Sequence, residues 1–552
     1  MPTRAVDNPA AIGSHRRSTR DPCHHASMHA EAPSPGCDDL VRGSLCRLAR
    51  PWRSASPRRV LAAVLMAALL AGCGTAPTLA PPSATPGASA SGPAPSATAA
   101  TTPSATPSEA PTVSRGGTPA PSPAPAPSPA PTPIPSPAAA DWPVYHGDAA
   151  RTGVDAAFPA PRHPARAWSA LLDGAVYGQP IVVGGRIIAA TEGDSVYALD
   201  PRTGRIEWSR HLGTPVPLAS LPCGNIDPLG ITSTPAYDPG SGSVFVVAEV
   251  EGPRHVLFAL DPASGAVRWS REVDLPGDDP RTYQQRAALA VANGHVYIGF
   301  GGLAGDCGQY RGEVVGVPTS GQGITIAYRV PVQREGAVWA TGGPVIDATG
   351  HLYVSTGNGS STTTYDGSDS VVELTPALTL VSRFAPASWA ADNANDADLG
   401  SLSPVIVPGG WIFIAGKSGT GYVLRQGALG GIGGEVSSAS VCRAFGAAAR
   451  SGSIVYVPCT DGIRQVRIDA TGRIHLGWHT QSGADGPPVV GGGAVWSVDV
   501  EAGVLYALNS TDGAIRARVG LGAVPHFASP TLWDGLVLVG TMRGVAGVRA
   551  AP

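Results

Sequence analysis

Residues 197–204 read Tyr-Ala-Leu-Asp-Pro-Arg-Thr-Gly, and residues 258–265 read Phe-Ala-Leu-Asp-Pro-Ala-Ser-Gly. A weaker copy, Tyr-Ala-Leu-Asn, stands at 506–509. Each copy follows a short apolar run. The Asp-Pro-x-x-Gly segment of the first two copies predicts a tight hairpin turn because Pro presets φ and Gly accepts a positive φ. The strands after the first two turns end in Trp-Ser, at 208–209 and 269–270. Short strands separated by such turns predict an all-β chain.

Repeated units of about 50 residues with four strands each predict a β-propeller. Eight inner strands are expected next to short residue pairs, at 179–180, 234–235, 287–288, 343–344, 403–404, 446–447, 487–488 and 529–530. The last unit offers only three strands, whereas a Trp-Ser strand at 166–169 has no blade before it. We therefore expect residues 141–552 to form an eight-bladed β-propeller whose N-terminal strand closes the last blade, since closure removes exposed strand edges.

The composition limits the classes of partner. Only 14% of the 552 residues are charged, and the formal net charge is −3. Nucleic-acid binders carry a strongly basic surface, so we expect no nucleic-acid partner. We also expect a monomeric protein. The 38 basic residues comprise 37 Arg and a single Lys, Lys417. Because Arg stands everywhere else, Lys417 marks a position where Arg would not serve.

Residues 1–73 have the pattern of an export signal. Two arginines at 58–59 precede an apolar run at 60–70 that is too short to span a membrane, and Leu-Ala-Gly-Cys follows at 70–73. This tetrapeptide resembles a bacterial lipobox, which implies lipidation of Cys73 and an extracytoplasmic protein anchored to the bacterial cell membrane. An ordinary cleaved signal followed by a chance Cys is the alternative.

Residues 74–140 are rich in Pro, Ala, Ser and Thr, and Glu109 and Arg115 are their only charged residues. Such a composition cannot bury enough apolar surface to fold. We expect a disordered, extended stalk.

Four cysteines lie in residues 141–552. Export permits disulfides. Cys442 and Cys459 flank one hairpin-like stretch and are expected to pair, which leaves Cys223 and Cys307 to pair across blades two and three. Four cysteines allow three pairings, so the other two stay open. Cys-x-x-Cys-His is absent, which excludes attached c-type haem.

Residues 142–153, Trp-Pro-x-Tyr-His-Gly-Asp-x-x-Arg-Thr-Gly, resemble the opening segment of the PQQ-binding-like β-propellers. The resemblance covers essentially all of 141–552. This superfamily includes quinoprotein alcohol dehydrogenases, polyvinyl alcohol dehydrogenases and a cofactor-free outer-membrane assembly lipoprotein. The repeats are common to all branches, so they identify the fold and not the chemistry.

Three central stretches resemble the dehydrogenase branch. The resemblance implies that Trp339 stacks under the quinone and that Asn358, in Thr-Gly-Asn, is a calcium ligand. Residues 396–401 resemble the stretch that holds the catalytic Asp, which makes Asp396 and Asp398 the catalytic candidates and Asp398 a second calcium ligand. Lys417 resembles the Lys that contacts the quinone oxygens. Blades four and five are expected to place these residues on adjacent inner strands that face one funnel.

PQQ is a flat tricarboxylate, so it needs an aromatic floor and cationic partners. Ca²⁺ with oxygen ligands would polarise its carbonyl, and a carboxylate would remove the proton of a small alcohol. The chain departs from the family in blade three, where the dehydrogenases have a calcium-binding Glu and this chain has Cys307, a poor calcium ligand. Asp306 is expected to substitute only with a shift of the backbone.

Each candidate also has an interpretation without chemistry. Trp339 would pack a core, residues 356–359 would form an Asn-Gly turn, Asp396 and Asp398 would belong to a solvated loop, and Lys417 would be a surface lysine. Two functions therefore stay open. One is a PQQ-dependent alcohol dehydrogenase-like oxidoreductase, and the other is a non-enzymatic propeller that binds a protein or a glycan.

Overall fold

The computed structural model describes residues 140–551, which form 35 strands, one α-helix and four 3₁₀ segments. The strands assemble into eight sheets of four or five strands. The predicted eight-bladed β-propeller is confirmed. The predicted signal at 1–73 with Cys73, and the predicted stalk at 74–140 except for its last residue, lie outside the described residues.

The first four blades follow one another along the chain. Blade one contains Ile181–Val183, Arg186–Ala190, Ser195–Leu199 and Ile206–His211. Blade two contains Ala236–Asp238, Ser243–Val250, Arg254–Leu260 and Val267–Glu272. Blade three contains Ala290–Ala292, His295–Gly302, Glu313–Pro318 and Ile326–Arg329, with Tyr283–Gln284 added to its second strand. Blade four contains Val345–Ile346, Leu352–Ser355, Val371–Leu374, Leu380–Ala385 and Gly431–Ile432.

The last four blades complete the ring. Blade five contains Val405–Val407, Trp411–Ala415, Thr420–Arg425 and Ser437–Ser440. Blade six contains Ala449–Ser451, Ile454–Cys459, Gly462–Ile468 and Ile474–Thr480. Blade seven contains Val489–Gly491, Ala494–Asp499, Val504–Asn509 and Ile515–Gly520. Blade eight contains Thr531–Trp533, Leu536–Thr541 and Gly544–Arg549. Every first strand in the ring begins one or two residues after the pair that marks it in the sequence.

The N-terminal part of the described chain closes the ring. Ala165–Leu171 pairs antiparallel with Gly544–Arg549, the last strand of blade eight, and Trp168 stands opposite Gly547. Val154–Asp155 adds a short parallel strand to Val489–Gly491 in blade seven. The predicted closing strand is confirmed, and it supplies the missing fourth strand of the last blade.

The repeat signature joins neighbouring blades. The indole N–H of Trp168 donates a hydrogen bond to the carbonyl oxygen of Pro201 at 2.9 Å, and Trp208 donates to Pro262 at 3.1 Å. Each indole therefore covers the Asp-Pro turn of the next blade. A Cβ on Gly204 would lie 2.5 Å from the Trp168 ring, and the φ of Gly204 is 70°. Only glycine meets both demands at this turn.

Helical segments are short and lie in connections between strands. They are the α-helix Trp389–Ala394 and the 3₁₀ segments Tyr145–Gly147, Leu218–Ser220, Pro280–Thr282 and Leu399–Ser401. Within residues 140–551, no helix has the length and hydropathy needed to cross a membrane.

Both expected disulfides are confirmed. Cys223 and Cys307 have Cα atoms 6.0 Å apart, and their bond links the connection before blade two to a loop of blade three. Cys442 and Cys459, with Cα atoms 5.7 Å apart, link the connection before blade six to the end of its second strand.

Candidate functional site

A cavity of about 390 Å³ opens among the connections of blades three, four and five. We call it the site cavity; its lining residues are Gln284, Arg286, Gly302, Leu303, Ala304, Asp306, Tyr310, Glu335, Ala337, Trp339, Asn358, Asn393, Asp396, Asp398 and Lys417. This volume lies in the usual range for small-molecule sites. Most of the lining side chains are polar, and Trp339, Leu303 and two alanines are apolar.

The five residues predicted from the sequence all line the site cavity, but they do not lie on inner strands. Trp339 precedes blade four, and Asn358 follows its second strand. Asp396 and Asp398 lie before blade five, and Lys417 lies in the hairpin after Trp411–Ala415. The expectation of inner strands is wrong because these five residues lie in the connections between strands.

Lys417 makes two ion pairs inside the cavity. Its Nζ lies 2.6 Å from Oδ1 of Asp396 and 2.6 Å from Oδ2 of Asp398. The same atom lies 5.8 Å from the centre of the Trp339 ring. The side chain is only 14% exposed, so the interpretation of Lys417 as a surface lysine is wrong. Burial lowers the pKa of Lys417, but Asp398 and Asp396 outweigh it, and the net pKa is raised.

Asp398 is the buried carboxylate of the site. Its Oδ1 accepts a hydrogen bond from the backbone N–H of Asn358 at 2.6 Å, and its own backbone oxygen accepts from the N–H of Lys417 at 2.8 Å. A Cβ on Gly357 would lie 2.6 Å from the same Oδ1, so glycine is needed there for this approach. Burial raises the pKa of Asp398, and the charge of Lys417 works against that rise. The solvated-loop interpretation is therefore wrong for Asp398.

Asp396 stands at the mouth of the cavity. Its side chain is 74% exposed, and its backbone has a φ of 51°. Its Oδ1 accepts from Nδ2 of Asn358 at 2.8 Å as well as from Lys417. Asp396 therefore ties two cavity residues together from the solvent side.

Asn358 does not form the Asn-Gly hairpin turn that its sequence allows. Within the described chain, neither Asn358 nor Gly359 has a positive φ, which such a turn requires. Its amide Oδ1 is buried and has no hydrogen-bond partner among residues 140–551. An orphaned amide oxygen in a cavity with carboxylates fits a hard cation, because hard cations prefer oxygen ligands.

Asp369 supports the site from behind, and sequence reasoning missed it. Its Oδ1 accepts from the N–H of Leu399 at 3.0 Å, and its own N–H donates to the carbonyl of Gly357 at 2.9 Å. Burial, together with the charge of Asp398, raises the pKa of Asp369 to about 8. A protonated Asp369 thus connects the two loops that carry Asn358 and Asp398.

Blade three supplies carboxylates despite the disulfide at Cys307. Asp306, with a φ of 50°, lines the cavity and accepts a hydrogen bond from the hydroxyl of Tyr310. Glu335 also lines the cavity and is paired with Arg334. Burial raises the pKa of Glu335, Arg334 opposes the rise, and Asp306 and Asp398 add to it. No sequence motif marks Glu335. A β-bridge to Arg311 brings it to the cavity.

The cavity carboxylates do not form a closed metal cage. Among residues 140–551, only Cys459, Asp461 and His479 place three ligand atoms of His, Cys, Asp or Glu within 4.8 Å of one another. Cys459 is in a disulfide, so this group is no metal centre. In the site cavity no three carboxylates of the described residues come that close, so a cation there would share its coordination with the Asn358 amide oxygen and a bound ligand. The residues present thus fit both a hard cation and a flat anion.

The chain is similar to several known proteins in sequence and in fold. A family profile described as "Outer membrane protein assembly factor BamB" matches residues 165–301. Polyvinylalcohol dehydrogenase of Sphingopyxis sp. (strain 113P3) is 27% identical over 240 residues, which cover 38% of this chain and 33% of that protein. Quinohemoprotein alcohol dehydrogenase ADH-IIG of Pseudomonas putida is 30% identical over 219 residues, which cover 35% and 29%. The chain spans about a third of the length of these curated relatives.

The solved quinohemoprotein alcohol dehydrogenase from Comamonas testosteroni has a TM-score of 0.58 and 18% identity, and the match covers 75% of this chain and 81% of that chain. This similarity shows a shared fold. The fold and the sequence similarities together support the PQQ-binding propeller superfamily. Within it, the similar curated proteins are alcohol dehydrogenases.

Proposed function

We propose that the chain is a PQQ-dependent, alcohol dehydrogenase-like oxidoreductase. The observation that carries the proposal is the setting of Lys417, the only lysine of the sequence. It lies over the Trp339 ring, inside a cavity that fits a flat ligand, and holds two carboxylates at 2.6 Å. A lysine ammonium is a compact charge that turns three donors toward different oxygens, which a planar guanidinium does less well.

Each site residue has a task in this proposal. Trp339 forms the floor on which the ring system stacks, and Lys417 donates to oxygens at its edge. The orphaned Oδ1 of Asn358, with Asp398 and Glu335, would hold Ca²⁺. PQQ, when bound, supplies the oxidising power that accepts the electrons of the alcohol.

Asp398 is the residue that we propose as the general base. A catalytic carboxylate works best when its pKa approaches the working pH, and burial raises the pKa of Asp398. The ion pair with Lys417 keeps the carboxylate ionised and oriented, so that it takes the hydroxyl proton of a small alcohol. Asp396 stays solvated at the mouth and holds Lys417 and Asn358.

Reconstitution tests cofactor binding. Purified protein is mixed with PQQ and Ca²⁺, desalted, and examined for quinone absorbance. We expect wild type to retain the absorbance and Lys417→Met to lose it, while Arg202→Ala, in an exposed turn of blade one, retains it. The double variant Lys417→Met/Asp398→Asn removes both charges of a buried pair, so loss of binding with a normal melting temperature excludes misfolding.

Dye reduction by loaded protein with small alcohols tests turnover. We expect Asp398→Asn to retain PQQ and to lose kcat by about 100-fold, as for other general bases. Retained PQQ without turnover in wild type would overturn the dehydrogenase activity and leave cofactor binding.

The second candidate is a non-enzymatic propeller that binds a protein or a glycan. The match of residues 165–301 to the assembly-factor profile favours it. The absence of retained quinone absorbance in wild type, even at high PQQ and Ca²⁺, would leave this candidate alone.

We propose further that Cys73 is lipidated and anchors the protein outside the bacterial cell membrane. The lipobox-like Leu-Ala-Gly-Cys at 70–73 supports this. Cells fed a labelled fatty acid should label wild type and not Cys73→Ser, and the variant should leave the membrane fraction. A labelled Cys73→Ser variant would contradict the anchor.

A further inference from the structure

Arg286 lies at the inner end of the site cavity and has no partner of its own. It precedes the first strand of blade three, and it lines both the site cavity and a second, enclosed cavity of about 20 Å³. The enclosed cavity has room for about one water molecule. The only charges that act on the guanidinium from within residues 140–551 are those of Tyr177 and Glu192, and neither bonds to it.

The guanidinium of Arg286 therefore has no carboxylate bonded to it among residues 140–551. Burial lowers the pKa of Arg286, but an arginine stays protonated at neutral pH. The side chain is only half-buried, so its charge is accessible from the site cavity. Lys417, the other cation of the cavity lining, is already shared between two carboxylates. Arg286 is thus the lining cation that has a free charge to offer a ligand.

Arg286 also has an aromatic ring beside it. Its guanidinium carbon lies 5.6 Å from the centre of the Phe527 ring, and that ring lies 6.1 Å from the Trp339 ring. Lys417 sits over Trp339 at 5.8 Å. Trp339 therefore lines the site cavity, Phe527 lines the smaller cavity that Arg286 also lines, and each of the two rings has its own cation.

The backbone of Phe527 is held in an unfavourable conformation. Its φ is 67°, in the left-handed region that bulky residues rarely occupy. Such conformations persist when the surrounding structure enforces them, and they concentrate at ligand sites. His526 stacks on Phe527 at 3.9 Å, and Phe445 stacks on it at 6.4 Å, so the ring is fixed from the far side.

We propose that Arg286, beside Phe527, binds a carboxylate of a planar aromatic polycarboxylate whose other end rests on Trp339 near Lys417. A guanidinium fork matches a carboxylate with two parallel hydrogen bonds, and a cavity that excludes water strengthens them. The identification of this ligand as PQQ rests on the proposed function. The ligand class follows from the Trp339 ring, the two cations of the cavity lining and the absence of a carboxylate bonded to Arg286.

The test is a titration of wild type, Arg286→Gln and Arg286→Lys with PQQ and with its trimethyl ester, which has the same rings and no free carboxylates. We expect Arg286→Gln to weaken PQQ binding by about 10- to 100-fold, as for a lost charge-assisted hydrogen bond. Arg286→Lys should recover part of the loss, and the ester should bind wild type and Arg286→Gln equally. Arg202→Gln, in an exposed turn, is the matched control.

Equal PQQ affinity of wild type and Arg286→Gln would overturn the inference while leaving the proposed function intact. An equal loss for the ester would overturn it as well, because the effect would then come from the shape of the site. The melting temperature of Arg286→Gln should not fall, since the variant removes a charge that has no carboxylate bonded to it among residues 140–551.

Failure of the proposed function is recognised separately. If wild type binds no PQQ, the same variants are titrated with benzene-1,3,5-tricarboxylate by calorimetry. Binding to wild type that Arg286→Gln loses would support Arg286 as a carboxylate receptor in a protein that does not use PQQ. No binding, or equal binding by both proteins, would overturn the inference.

Discussion

Two of the places where the ring buries carboxylates, the site cavity and blade one, treat their charge in opposite ways. In the site cavity, Asp398 is paired with Lys417 at 2.6 Å. In blade one, Asp194 is buried, and neither oxygen of its carboxylate has a hydrogen-bond partner among the described residues. Its neighbour Glu192 accepts one hydrogen bond, from the N–H of Gly230 at 2.7 Å.

The consequence is a different protonation state. Burial raises the pKa of Asp194 to about 9, and the charges of Glu192, Glu249 and Asp173 contribute. Burial raises the pKa of Glu192 to about 7. The blade-one group therefore holds protons at neutral pH, whereas the cation beside Asp398 favours its ionised form. Burial alone favours the protonated form of a carboxylate, and a lysine beside it favours the ionised form.

The largest expected effect is that of Lys417→Met on stability. The substitution leaves Asp398 buried without its cation, which costs about 3–5 kcal/mol when one partner of a buried ion pair is removed. The loss should be greatest at alkaline pH and should shrink as the pH falls, because protonation of Asp398 removes the unpaired charge. Urea unfolding measures it. Lys417→Met/Asp398→Asn should regain most of the stability, and a double variant as unstable as the single one would break the comparison.

A smaller effect of opposite sign is expected for Asp194→Asn. In wild type, folded Asp194 keeps a proton that the unfolded chain has lost, so the free energy of unfolding falls as pH rises from about 4 to 9. The substitution removes this contribution and should stabilise the protein by about 1–2 kcal/mol at pH 8, with no gain at pH 3. Unfolding curves between these pH values measure it, and an unchanged slope would show that Asp194 is ionised in the fold.

Glu192→Gln should also stabilise the protein, but over a narrower range of pH. Because the pKa of folded Glu192 is about 7, its contribution is fully present below the unfolded pKa and is lost as pH rises from about 4 to 7. The amide oxygen of the substitute can still accept from Gly230. We expect a gain of about 1 kcal/mol or less above pH 7, measured against Asp194→Asn in the same buffers.

The smallest effect is expected for Asp396→Asn. Its carboxylate is 74% exposed, and exposed ion pairs contribute about 0–1 kcal/mol. Stability should change by less than about 0.5 kcal/mol, and the change should vanish in 1 M NaCl. A loss as large as that of Lys417→Met would mean that exposure is not what separates Asp396 from Asp398.

The fold could be predicted from the sequence because short sequence patterns for turns and strands recur in several blades. The Asp-Pro-x-x-Gly turn and the Trp-Ser strand read as local signals, and their contact, Trp168 on Gly204, explains why they occur together. The unpaired Trp-Ser strand indicated ring closure. The disulfides could also be predicted, because the order of the blades along the chain indicates which cysteines lie close together.

The candidate site could be predicted only in part. Three site residues lie in sequence stretches that resemble known motifs, namely Lys417, Asp398 and Asn358. The contacts between them depend on distances that the sequence does not give. Glu335 and Arg286 carry no motif. A β-bridge positions Glu335, and the free charge of Arg286 appears only when every neighbour is in place.

Ring closure also imposes an order of events on the growing chain. Ala165–Leu171 is synthesised before the seven blades that separate it along the chain from its partner Gly544–Arg549. The closing strand therefore has no partner until the last strand of blade eight has been made. Until the two strands pair, the ring is open and Gly544–Arg549 keeps a free sheet edge.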